Sequence, residues 1–574
     1  MGMMESVMND AVERAVAWKA AGVDEGTREA IEAMLREGGE GLVEAFGAEL
    51  EFGTGGLRGI MGVGTNRMNQ YTVAQATQGL ANYLMGRGGG TVAIAYDSRN
   101  RSAEFADVAA SVLAGNGCNV LLYKALRPTP QLSFTVRNRG CVAGIVVTAS
   151  HNPKEYNGYK VYGADGGQIV PPNDAAILAE VRKVTDLRQV RYATSDERAE
   201  RVEWLGDADD AAYLAAVLAL RSDADLAAHG SDLSIAYTPL HGTGGVAVVP
   251  ALAAFGFRNV HLVASQAAPD GNFPTVHSPN PEEGAALAVA IALARSAGAS
   301  LVLGTDPDAD RVGIAVPDPA APGGYRLLNG NETGALLVDH VLSRRQPDPA
   351  GLPGFVAITV VTSELLADIA AGYGVEVVRT LTGFKWIAAE IRAREGRSRF
   401  LVGGEESYGY MIGDAVRDKD AVASACLLAE CAHAAAARGE TLLDGLRRLH
   451  RKHGLYREEL VSVTRPGRSG VAAIADHMRQ LRATPPAELA GERVVAVRDF
   501  LAGPSVTGLP TSNVLQFITA EGSVLSARPS GTEPKIKFYV SVRCAPDRIA
   551  TDAAYASEEA ALRDRAARLV AALA

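Results

Sequence analysis

Short apolar runs alternate with helical stretches along most of this sequence, and that alternation restricts the fold more than any other feature. Apolar runs of strand length lie at 91–96, 119–123 and 142–147, and residues 103–114 between the first two are predicted to be helical. Strands that alternate with helices form parallel sheets with helices packed on their faces. The pattern therefore predicts an α/β fold built on mixed, mostly parallel sheets.

The same alternation starts again twice further along the chain. Strands are predicted at 233–237, 260–263 and 300–303, and again at 355–361, 375–379 and 400–402. The C-terminal part differs, because the strands at 494–497, 514–518, 523–527 and 536–542 have no regularly interposed helices. We predict three consecutive α/β domains followed by a C-terminal α+β domain with an antiparallel sheet, which a helix at 553–573 closes.

Length and polar joints set the predicted domain boundaries. A chain of 574 residues exceeds the size at which one hydrophobic core stops growing, about 250–300 residues. Polar segments near 205–230, 317–326 and 455–470 are predicted to be joints. The predicted domains are 1–210, which includes an amphipathic helix over 10–50, then 211–322, 323–455 and 456–574.

Charge and composition exclude several classes of partner. The formal net charge is −10, so the surface does not attract nucleic acid or anionic lipid over long range. No run of about 20 apolar residues predicts a membrane span, and the N-terminus lacks the basic and apolar regions of a secretory signal. The five cysteines show no metal-ligand spacing. We predict a cytoplasmic protein with buried, reduced thiols.

The segment TASHNP at 148–153 follows an apolar strand, so Ser150 lies at the carboxyl end of that strand, where open α/β sheets bind ligands. His151 can donate a hydrogen bond to a phosphate. Taken alone, the segment favours an ordinary loop, since adjacent Ser and His cannot form the usual nucleophile–base pair. It also lacks the G-x-S-x-G pattern of a serine hydrolase.

The segment DPDADR at 306–311 places three carboxylates at alternate positions after another strand. Asp306, Asp308 and Asp310 can converge on one hard cation if the loop folds tightly, and oxygen ligands of this kind suit Mg²⁺. The alternative is a solvated acidic turn. A cation would relieve the mutual repulsion of the three aspartates.

Four glycine-containing loops complete the candidate site. GGEESYG at 403–409 offers groups that can bind sugar hydroxyls, and RPSGTEPK at 528–535 combines arginine, hydroxyls and lysine in a way that suits phosphate. FGTGGLRG at 52–59 is glycine-rich but is not a Walker loop. YTPLHGTG at 237–244 follows a strand and can help enclose a site. Each alone is also compatible with an exposed turn.

Together and in this order, these motifs closely resemble the α-D-phosphohexomutase superfamily, which includes phosphoglucomutase and phosphomannomutase. The resemblance extends from FGTGGLRG to RPSGTEPK, and so covers nearly the whole chain. The spacing of FGTGGLRG, TGFKW and GEESYG is most similar to the bacterial branch that also includes phosphopentomutase and glucose-1,6-bisphosphate synthase.

The resemblance implies a four-domain enzyme with a phosphorylated Ser150. Asp306, Asp308 and Asp310 would hold Mg²⁺, which would also touch the Ser150 phosphate. Lys160, in NGYK at 157–160, matches the family position of a general acid/base. The phosphoryl site would be supported by two further residues, His151 and Arg58.

The resemblance also implies a set of substrate-binding residues. Glu405 and Ser407 would bind the sugar hydroxyls, and Lys385 would contact substrate. The non-transferring phosphate would be bound by Arg528, Ser530, Gly531, Thr532 and Lys535. Two positions depart from the family pattern: Pro307 replaces a common glycine and removes one N–H donor, and Lys385 stands where some relatives have histidine.

The predicted activity is interconversion of hexose 1-phosphate and hexose 6-phosphate, with glucose the favoured sugar, through phosphoserine and a bisphosphorylated sugar. Glucose 1,6-bisphosphate would be intermediate and activator, and the enzyme a monomer or small homo-oligomer. The alternatives are a phosphopentomutase, a phosphomannomutase or a glucose-1,6-bisphosphate synthase. More distant is a Mg²⁺-dependent sugar phosphatase with an aspartyl nucleophile. Ser150 and the three aspartates argue against a non-catalytic sugar-phosphate binder.

Overall fold

The computed structural model describes residues 2–50, 55–465, 467–530 and 535–573. The chain divides into two compact units. The first consists of Met1–Leu328, Ala388–Glu395 and Ser407–Ala434, and the second of Asn329–Ile387, Gly396–Glu406 and Ala435–Ala574. Each unit is built on sheets whose strands follow from the apolar runs of the sequence.

The first sheet of the first unit has the order β1-β5-β4-β2-β3-β6. The pairs β4–β2, β2–β3 and β3–β6 are parallel, whereas β5 pairs antiparallel with both β4 and β1. Its strands are β1 Gly56–Ile60, β2 Thr91–Tyr96, β3 Asn119–Tyr123, β4 Ala143–Val147, β5 Tyr156–Gly163 and β6 Val202–Leu205. The helices of this part are α1 Gly2–Ala20, α2 Glu25–Glu37, α3 Gly39–Phe46, α4 Gln70–Met85, α5 Ser102–Gly115, α6 Thr129–Asn138, α7 Asn173–Val181, α8 Ser195–Arg201 and α9 Asp207–Leu218.

Both faces of this sheet are buried, which explains its continuous apolar strands. Val92 and Ile94 of β2 pack into one hydrophobic cluster, and Ala93 and Ala95 pack into another. Successive side chains of a strand point to opposite faces, so a strand covered on both sides is apolar at every position. The polar groups of this region are therefore concentrated in the loops at the strand ends.

The second sheet of the first unit has the order β11-β10-β9-β7-β8. The pairs β9–β7 and β7–β8 are parallel, and the pairs β11–β10 and β10–β9 are antiparallel. The strands are β7 Ile235–Thr238, β8 Val260–Leu262, β9 Leu301–Thr305, β10 Val312–Pro317 and β11 Tyr325–Leu328. The helices are α10 Ala224–His229, α11 Gly244–Phe255, α12 Ala264–Ala267 and α13 Gly284–Ala297.

The middle of the chain contributes to both units. In the second unit, β12 pairs parallel with β13 and with β14. The elements from here on are α14 Gly330–Arg344, β12 Gly354–Thr359, α15 Glu364–Gly372, β13 Glu376–Thr380, α16 Phe384–Ala393, β14 Arg399–Glu405, β15 Gly409–Ile412, α17 Ala421–Ala436 and α18 Leu442–His453. Strand β15 belongs to the first unit.

The C-terminal sheet of the second unit is antiparallel throughout, with the order β16-β21-β20-β19-β18-β17. Helices α19 and α21 contribute apolar side chains to its core. Its elements are β16 Leu455–Thr464, α19 Gly467–Ala483, β17 Glu488–Leu489, β18 Glu492–Asp499, α20 Pro504–Thr507, β19 Leu515–Thr519, β20 Val524–Pro529, β21 Lys535–Cys544 and α21 Asp552–Leu573. Short 3₁₀ turns lie at Leu187–Gln189, Pro322–Gly324, Phe500–Ala502 and Pro546–Ile549.

The architecture confirms the predicted fold class of α/β domains followed by an antiparallel C-terminal sheet. One local prediction was wrong: the expected helix over 10–50 is interrupted, because α1, α2 and α3 are separate helices. The predicted joints contain regular elements, such as α9 in 205–230 and β16 in 455–470. The domain boundaries stay a prediction.

Two further sequence predictions concern membranes and thiols. None of the helices in the described ranges combines the length and the hydropathy required to span a membrane. The five cysteines are all buried free thiols, as predicted.

Candidate active site

Ser150 lies just beyond the carboxyl end of β4 and is 3% exposed. Its backbone φ is +53°, in the left-handed region that residues with a Cβ seldom adopt. The Ser150 N–H donates to Thr148 Oγ1 at 2.8 Å, and the Ser150 hydroxyl donates to Asp306 Oδ2 at 2.6 Å. The structure therefore brings the predicted phosphoserine against the predicted metal loop.

The metal loop folds tightly after β9, which is the condition under which its three carboxylates can converge. Ala309 adopts a φ of +49°, and the N–H groups of Asp310 and Arg311 donate to Asp306 Oδ1 at 3.1 and 3.0 Å. Asp306, Asp308 and Asp310 are all buried, and their candidate ligand oxygens lie within 4.8 Å of one another. Within the described ranges, no other group of three His, Cys, Asp or Glu side chains converges in this way.

Neighbouring loops support the backbone of the metal loop. The Thr243 N–H and hydroxyl donate to the Pro307 carbonyl at 2.8 and 2.9 Å. A Cβ on Gly242 would lie 2.3 Å from Pro307 Cα, so only glycine permits this approach. From the other side, the Thr129 N–H and hydroxyl donate to the carbonyl and carboxylate of Asp308 at 2.9 and 2.8 Å. The HGTG motif thus supports the metal loop.

The three carboxylates fit a hard divalent cation. Asp308 Oδ1 and Asp310 Oδ1 are buried and have no hydrogen-bond partner among the described residues. Burial and the charges of Asp308 and Asp310 raise the pKa of Asp306 well above its usual value. A buried, mutually repelling set of oxygen ligands is relieved by binding Mg²⁺ or a similar ion.

Two lysines supply positive charge to the same cluster. Lys160 Nζ, on β5, donates to Asp308 Oδ2 at 2.8 Å and to Asp310 Oδ2 at 3.3 Å. Lys419 Nζ lies 3.0 Å from Asp310 Oδ2. Burial lowers the pKa of Lys160, but Asp308 and Asp310 outweigh it and leave that pKa raised. Burial likewise raises the pKa of Asp310, and the two lysines outweigh it and lower that pKa.

His151 and Arg58 lie beside the Ser150 loop, as predicted. His151 Nδ1 is 3.2 Å from Ser150 Oγ, and burial together with Arg311 and Arg58 holds the pKa of His151 well below its usual value. Arg58 is exposed on β1 and donates to Asn152 Oδ1 at 3.3 Å. A neutral histidine therefore lies close to the serine hydroxyl, and a cationic arginine contacts the loop that carries it.

Sequence reasoning missed Lys419, which lies in RDKD at 417–420, directly before α17. A run of alternating charge is usually solvated, yet all four residues are buried. Asp418 Oδ2 accepts a hydrogen bond from the Tyr162 hydroxyl at 2.7 Å. The only sequence signal was the position of this run between an apolar strand and an apolar helix.

In the second unit, Glu405 ends β14, the strand that leads into the sugar loop, and Glu406 follows it. Glu405 Oε1 accepts a hydrogen bond from the Gly383 N–H at 2.8 Å. Burial and the charge of Glu405 raise the pKa of Glu406 to about 7, against the opposing effect of Lys537 and Arg528. Glu405 is thus held by a backbone N–H, whereas Glu406 Oε2 is buried and has no hydrogen-bond partner among the described residues.

The remaining predicted substrate residues are placed as follows. Lys385 Nζ is 5.4 Å from the centroid of the Trp386 ring. In the antiparallel pair of β20 and β21, Arg528 lies opposite Lys537 in the register. The Ser530 N–H donates to the Lys535 carbonyl at 2.8 Å. Ser407 is in the first unit, where its carbonyl accepts a hydrogen bond from Arg311 at 3.0 Å. Two predicted residues lie outside the described ranges, Gly531 and Thr532.

Comparison with known families gives four consecutive matches. The chain matches the four domain models of the phosphoglucomutase/phosphomannomutase family. These are α/β/α domain I over residues 49–188, domain II over 211–321, domain III over 329–450 and the C-terminal domain over 460–554. These matches are in the order of the sheets described above.

Individual proteins show the same similarity. A phosphoglucomutase of Staphylococcus aureus (strain MSSA476) is 38% identical over 513 residues, which is 87% of this chain and 91% of that protein. A provisionally named phosphomannomutase of Thermus thermophilus has a TM-score of 0.67 at 25% identity, with 87% and 96% of the two chains covered. The open form of Paramecium parafusin, a phosphoglucomutase, has a TM-score of 0.65 at 17% identity, with 88% and 92% covered, and supports the fold alone.

Proposed function

Because the chain belongs to the phosphoglucomutase/phosphomannomutase family, we propose that it is a phosphosugar mutase that interconverts hexose 1-phosphate and hexose 6-phosphate. One observation carries this proposal beyond family membership: the Ser150 hydroxyl lies 2.6 Å from a buried cluster of three aspartates. A serine so placed suits reversible phosphoryl transfer, in which positioning and charge neutralisation do most of the catalytic work. Glucose is the proposed sugar.

The proposed metal is Mg²⁺, held by Asp306, Asp308 and Asp310 and, in the phosphorylated enzyme, touching the Ser150 phosphate. Two buried carboxylate oxygens without hydrogen-bond partners in the described structure support this assignment. Bound Mg²⁺ would supply positive charge beside the transferring phosphoryl group and would weaken the hold of these carboxylates on the Lys160 ammonium.

In the proposed reaction, Ser150 carries the phosphoryl group between turnovers. The free hydroxyl oxygen of the substrate bonds to phosphorus as the bond from phosphorus to Ser150 Oγ breaks, and the hydroxyl proton passes to Lys160. To accept it, the Lys160 ammonium must first give up the proton that Asp308 and Asp310 favour. The bisphosphorylated sugar then turns around. Its other phosphoryl group returns to Ser150 Oγ, and Lys160 gives the proton to the departing sugar oxygen.

The flanking residues receive supporting roles in this scheme. Neutral His151, 3.2 Å from Ser150 Oγ, can hydrogen-bond to the serine oxygen without adding charge. Arg58 offers a guanidinium to the phosphoryl oxygens. Both assignments rest on the side-chain positions described above.

For substrate, we propose that Glu405, Ser407 and Lys385 bind the sugar. The other phosphate would be bound by Arg528, Ser530, Gly531, Thr532 and Lys535. Glucose 1,6-bisphosphate is the proposed intermediate and activator, since it can transfer a phosphoryl group to unphosphorylated Ser150. The phosphosugar is the proposed partner, whereas the oligomeric state and the cytoplasmic location stay predictions from the sequence.

Replacing Ser150 tests the proposal directly. We expect Ser150→Ala to lower mutase turnover by about 1,000-fold or more, because the variant cannot store a phosphoryl group. Exposed Ser195 provides the matched control, and Ser195→Ala should match wild type. Turnover of Ser150→Ala within a few-fold of wild type would refute the proposal.

A second experiment separates the alternatives. Rates on glucose 1-phosphate, mannose 1-phosphate and ribose 1-phosphate distinguish the three mutases. A bisphosphate synthase would make glucose 1,6-bisphosphate from a different phosphoryl donor. We expect the glucose ester to be isomerised fastest, with little release of inorganic phosphate. Phosphate release that matches or exceeds isomer formation would instead identify a phosphatase.

A further inference from the structure

Arg99 is a buried arginine that neither the motifs nor the proposed reaction uses. It follows β2, and β2 lies beside β4 in the sheet, with Tyr96 opposite Val147. Parallel neighbours end at the same edge of a sheet, so the segment after β2 lies next to the Ser150 loop. The Arg99 side chain is 0% exposed.

The guanidinium of Arg99 donates to the backbone of a single loop. Nη1 donates to the carbonyls of Pro153 and Tyr156 at 2.9 and 3.1 Å. Nη2 donates to the Ser150 carbonyl at 2.5 Å and also to the Asn152 carbonyl. One side chain thus binds four carbonyls of residues 150–156. The planar fork of arginine permits this, whereas the point-like ammonium of lysine does not.

The loop depends on these bonds for its conformation. Ser150 has a φ of +53°, which is unfavourable for a residue with a Cβ and persists only where the surroundings hold it. Buried carbonyls without partners are also unfavourable. The fork of Arg99 therefore supplies the hydrogen bonds that hold the Ser150 backbone in this state.

Arg99 is itself fixed on two sides. The Arg99 Nε is 3.4 Å from Asp97 Oδ2, and the Arg99 backbone N–H donates to Asp97 Oδ1 at 2.9 Å. The ring of Phe273, from the part of the chain that carries the metal loop, lies 5.1 Å from its Cζ. Arg99 is thus held by an ion pair with the residue that follows β2 and by an aromatic ring from the other part of the first unit.

We propose that Arg99 is the positioning residue of the phosphoserine loop, which directs Ser150 Oγ toward the metal loop by binding the loop's backbone carbonyls. The inference rests on the proposed role of Ser150 as phosphoryl carrier. Arg99 contacts the loop backbone, so it acts on the reaction through Ser150. It should therefore affect the transfer step more than substrate affinity.

The test is Arg99→Lys, which keeps the charge and removes the fork. We expect kcat to fall about 100-fold, because a displacement of about 1 Å at a reacting group has this cost. KM for glucose 1-phosphate should stay within about threefold. Phosphorylation of Ser150 by glucose 1,6-bisphosphate, followed by intact mass, should slow by the same factor as kcat. Arg101→Lys is the control, since Arg101 is two residues away and pairs with exposed Glu104, and it should match wild type.

A second variant covers the case in which Arg99→Lys does not fold. Asp97→Asn keeps the shape of the side chain that holds Arg99 and removes its charge, and we expect a smaller loss of kcat, about tenfold, again with KM unchanged. Hydrogen exchange should be faster in residues 150–156 of either folded variant. Wild-type rates of Ser150 phosphorylation in folded Arg99→Lys, or in Asp97→Asn where that variant is used, would overturn the inference. Absence of phosphorylation in the wild-type enzyme would instead overturn the proposed function.

Discussion

Lys160 binds two of the three carboxylates that we propose as metal ligands, so its ammonium competes with a cation for their charge. Replacing Lys160 with Met keeps much of the side-chain shape and removes the competitor. We expect Lys160→Met to bind Mg²⁺ about tenfold more tightly by calorimetry, while mutase turnover falls sharply because the proton carrier is lost.

The matched control for Lys160→Met is Lys183→Met. Lys183 is exposed and pairs with Glu180 at 2.6 Å, so its loss should change neither Mg²⁺ affinity nor turnover. Unchanged or weaker Mg²⁺ binding by Lys160→Met would contradict the view that its ammonium and the cation share these carboxylates.

At the residue scale, motif order predicted Ser150 and the three aspartates as site residues but not Arg99 or Lys419. The aspartates follow a buried strand at alternate positions, a spacing that indicates carboxylates able to converge on one hard cation. Arg99 and Lys419 lie in short charged runs that a sequence shows as solvated. Their roles depend on burial against partners 50 or more residues away, which no local pattern reports.

Helix α17 begins beside a buried carboxylate, and this gives a prediction at the scale of one element. Asp420 accepts hydrogen bonds from the Ala423 N–H and the Tyr213 hydroxyl, each at 2.9 Å, and burial raises its pKa from 3.8 to about 6. Between these values the folded protein binds more protons than the unfolded chain, so this group's contribution to stability is lost as pH rises. We expect Asp420→Asn to raise the thermal midpoint relative to wild type more at pH 7.5 than at pH 5.

Asp444 near the start of α18 provides a control of opposite sign. Backbone and side-chain hydrogen bonds from Thr441 lower the pKa of Asp444, so its contribution is present at neutral pH and is lost on acidification. Asp444→Asn should therefore lower the thermal midpoint by the same amount at pH 7.5 and at pH 5, because both values lie above the unfolded-state pKa of 3.8, and by less only at more acidic pH. A gap between Asp420→Asn and wild type that does not change with pH would disprove the assignment of the raised pKa.

Strands were predictable from the sequence where both faces of the strand are buried and apolar. They were less predictable where a buried strand contains polar residues. The runs at 91–96 and 119–123 match β2 and β3 because consecutive side chains there are buried on both faces of the sheet. Strand β5 was missed because Asn157 and Lys160 interrupt its apolar pattern. Both are buried, with Asn157 hydrogen-bonded to Ser102 and Lys160 to the metal loop. The polar residues that hide this strand in the sequence thus include the proposed proton carrier, Lys160.

At the scale of the whole molecule, the proposed metal cluster joins distant segments of the first unit. Lys160 comes from its first sheet, Asp310 from the loop after β9, and Lys419 from the segment Ser407–Ala434. The proposed metal ligands all belong to this unit. A bound cation should therefore stabilise the first unit specifically.

Hydrogen exchange with and without Mg²⁺ tests this consequence. At a free concentration about 100 times its Kd, a ligand of the folded state contributes about 2.7 kcal/mol. We expect slower exchange in peptides that cover β5, β9 and β10, and no change in peptides that cover β12 and β13 of the second unit. A chelator should reverse the protection, and Asp306→Asn should weaken it because one ligand is lost while the shape of the side chain is kept. Equal protection of both units, or protection that survives in Asp306→Asn at the same Mg²⁺ concentration, would place the binding site elsewhere.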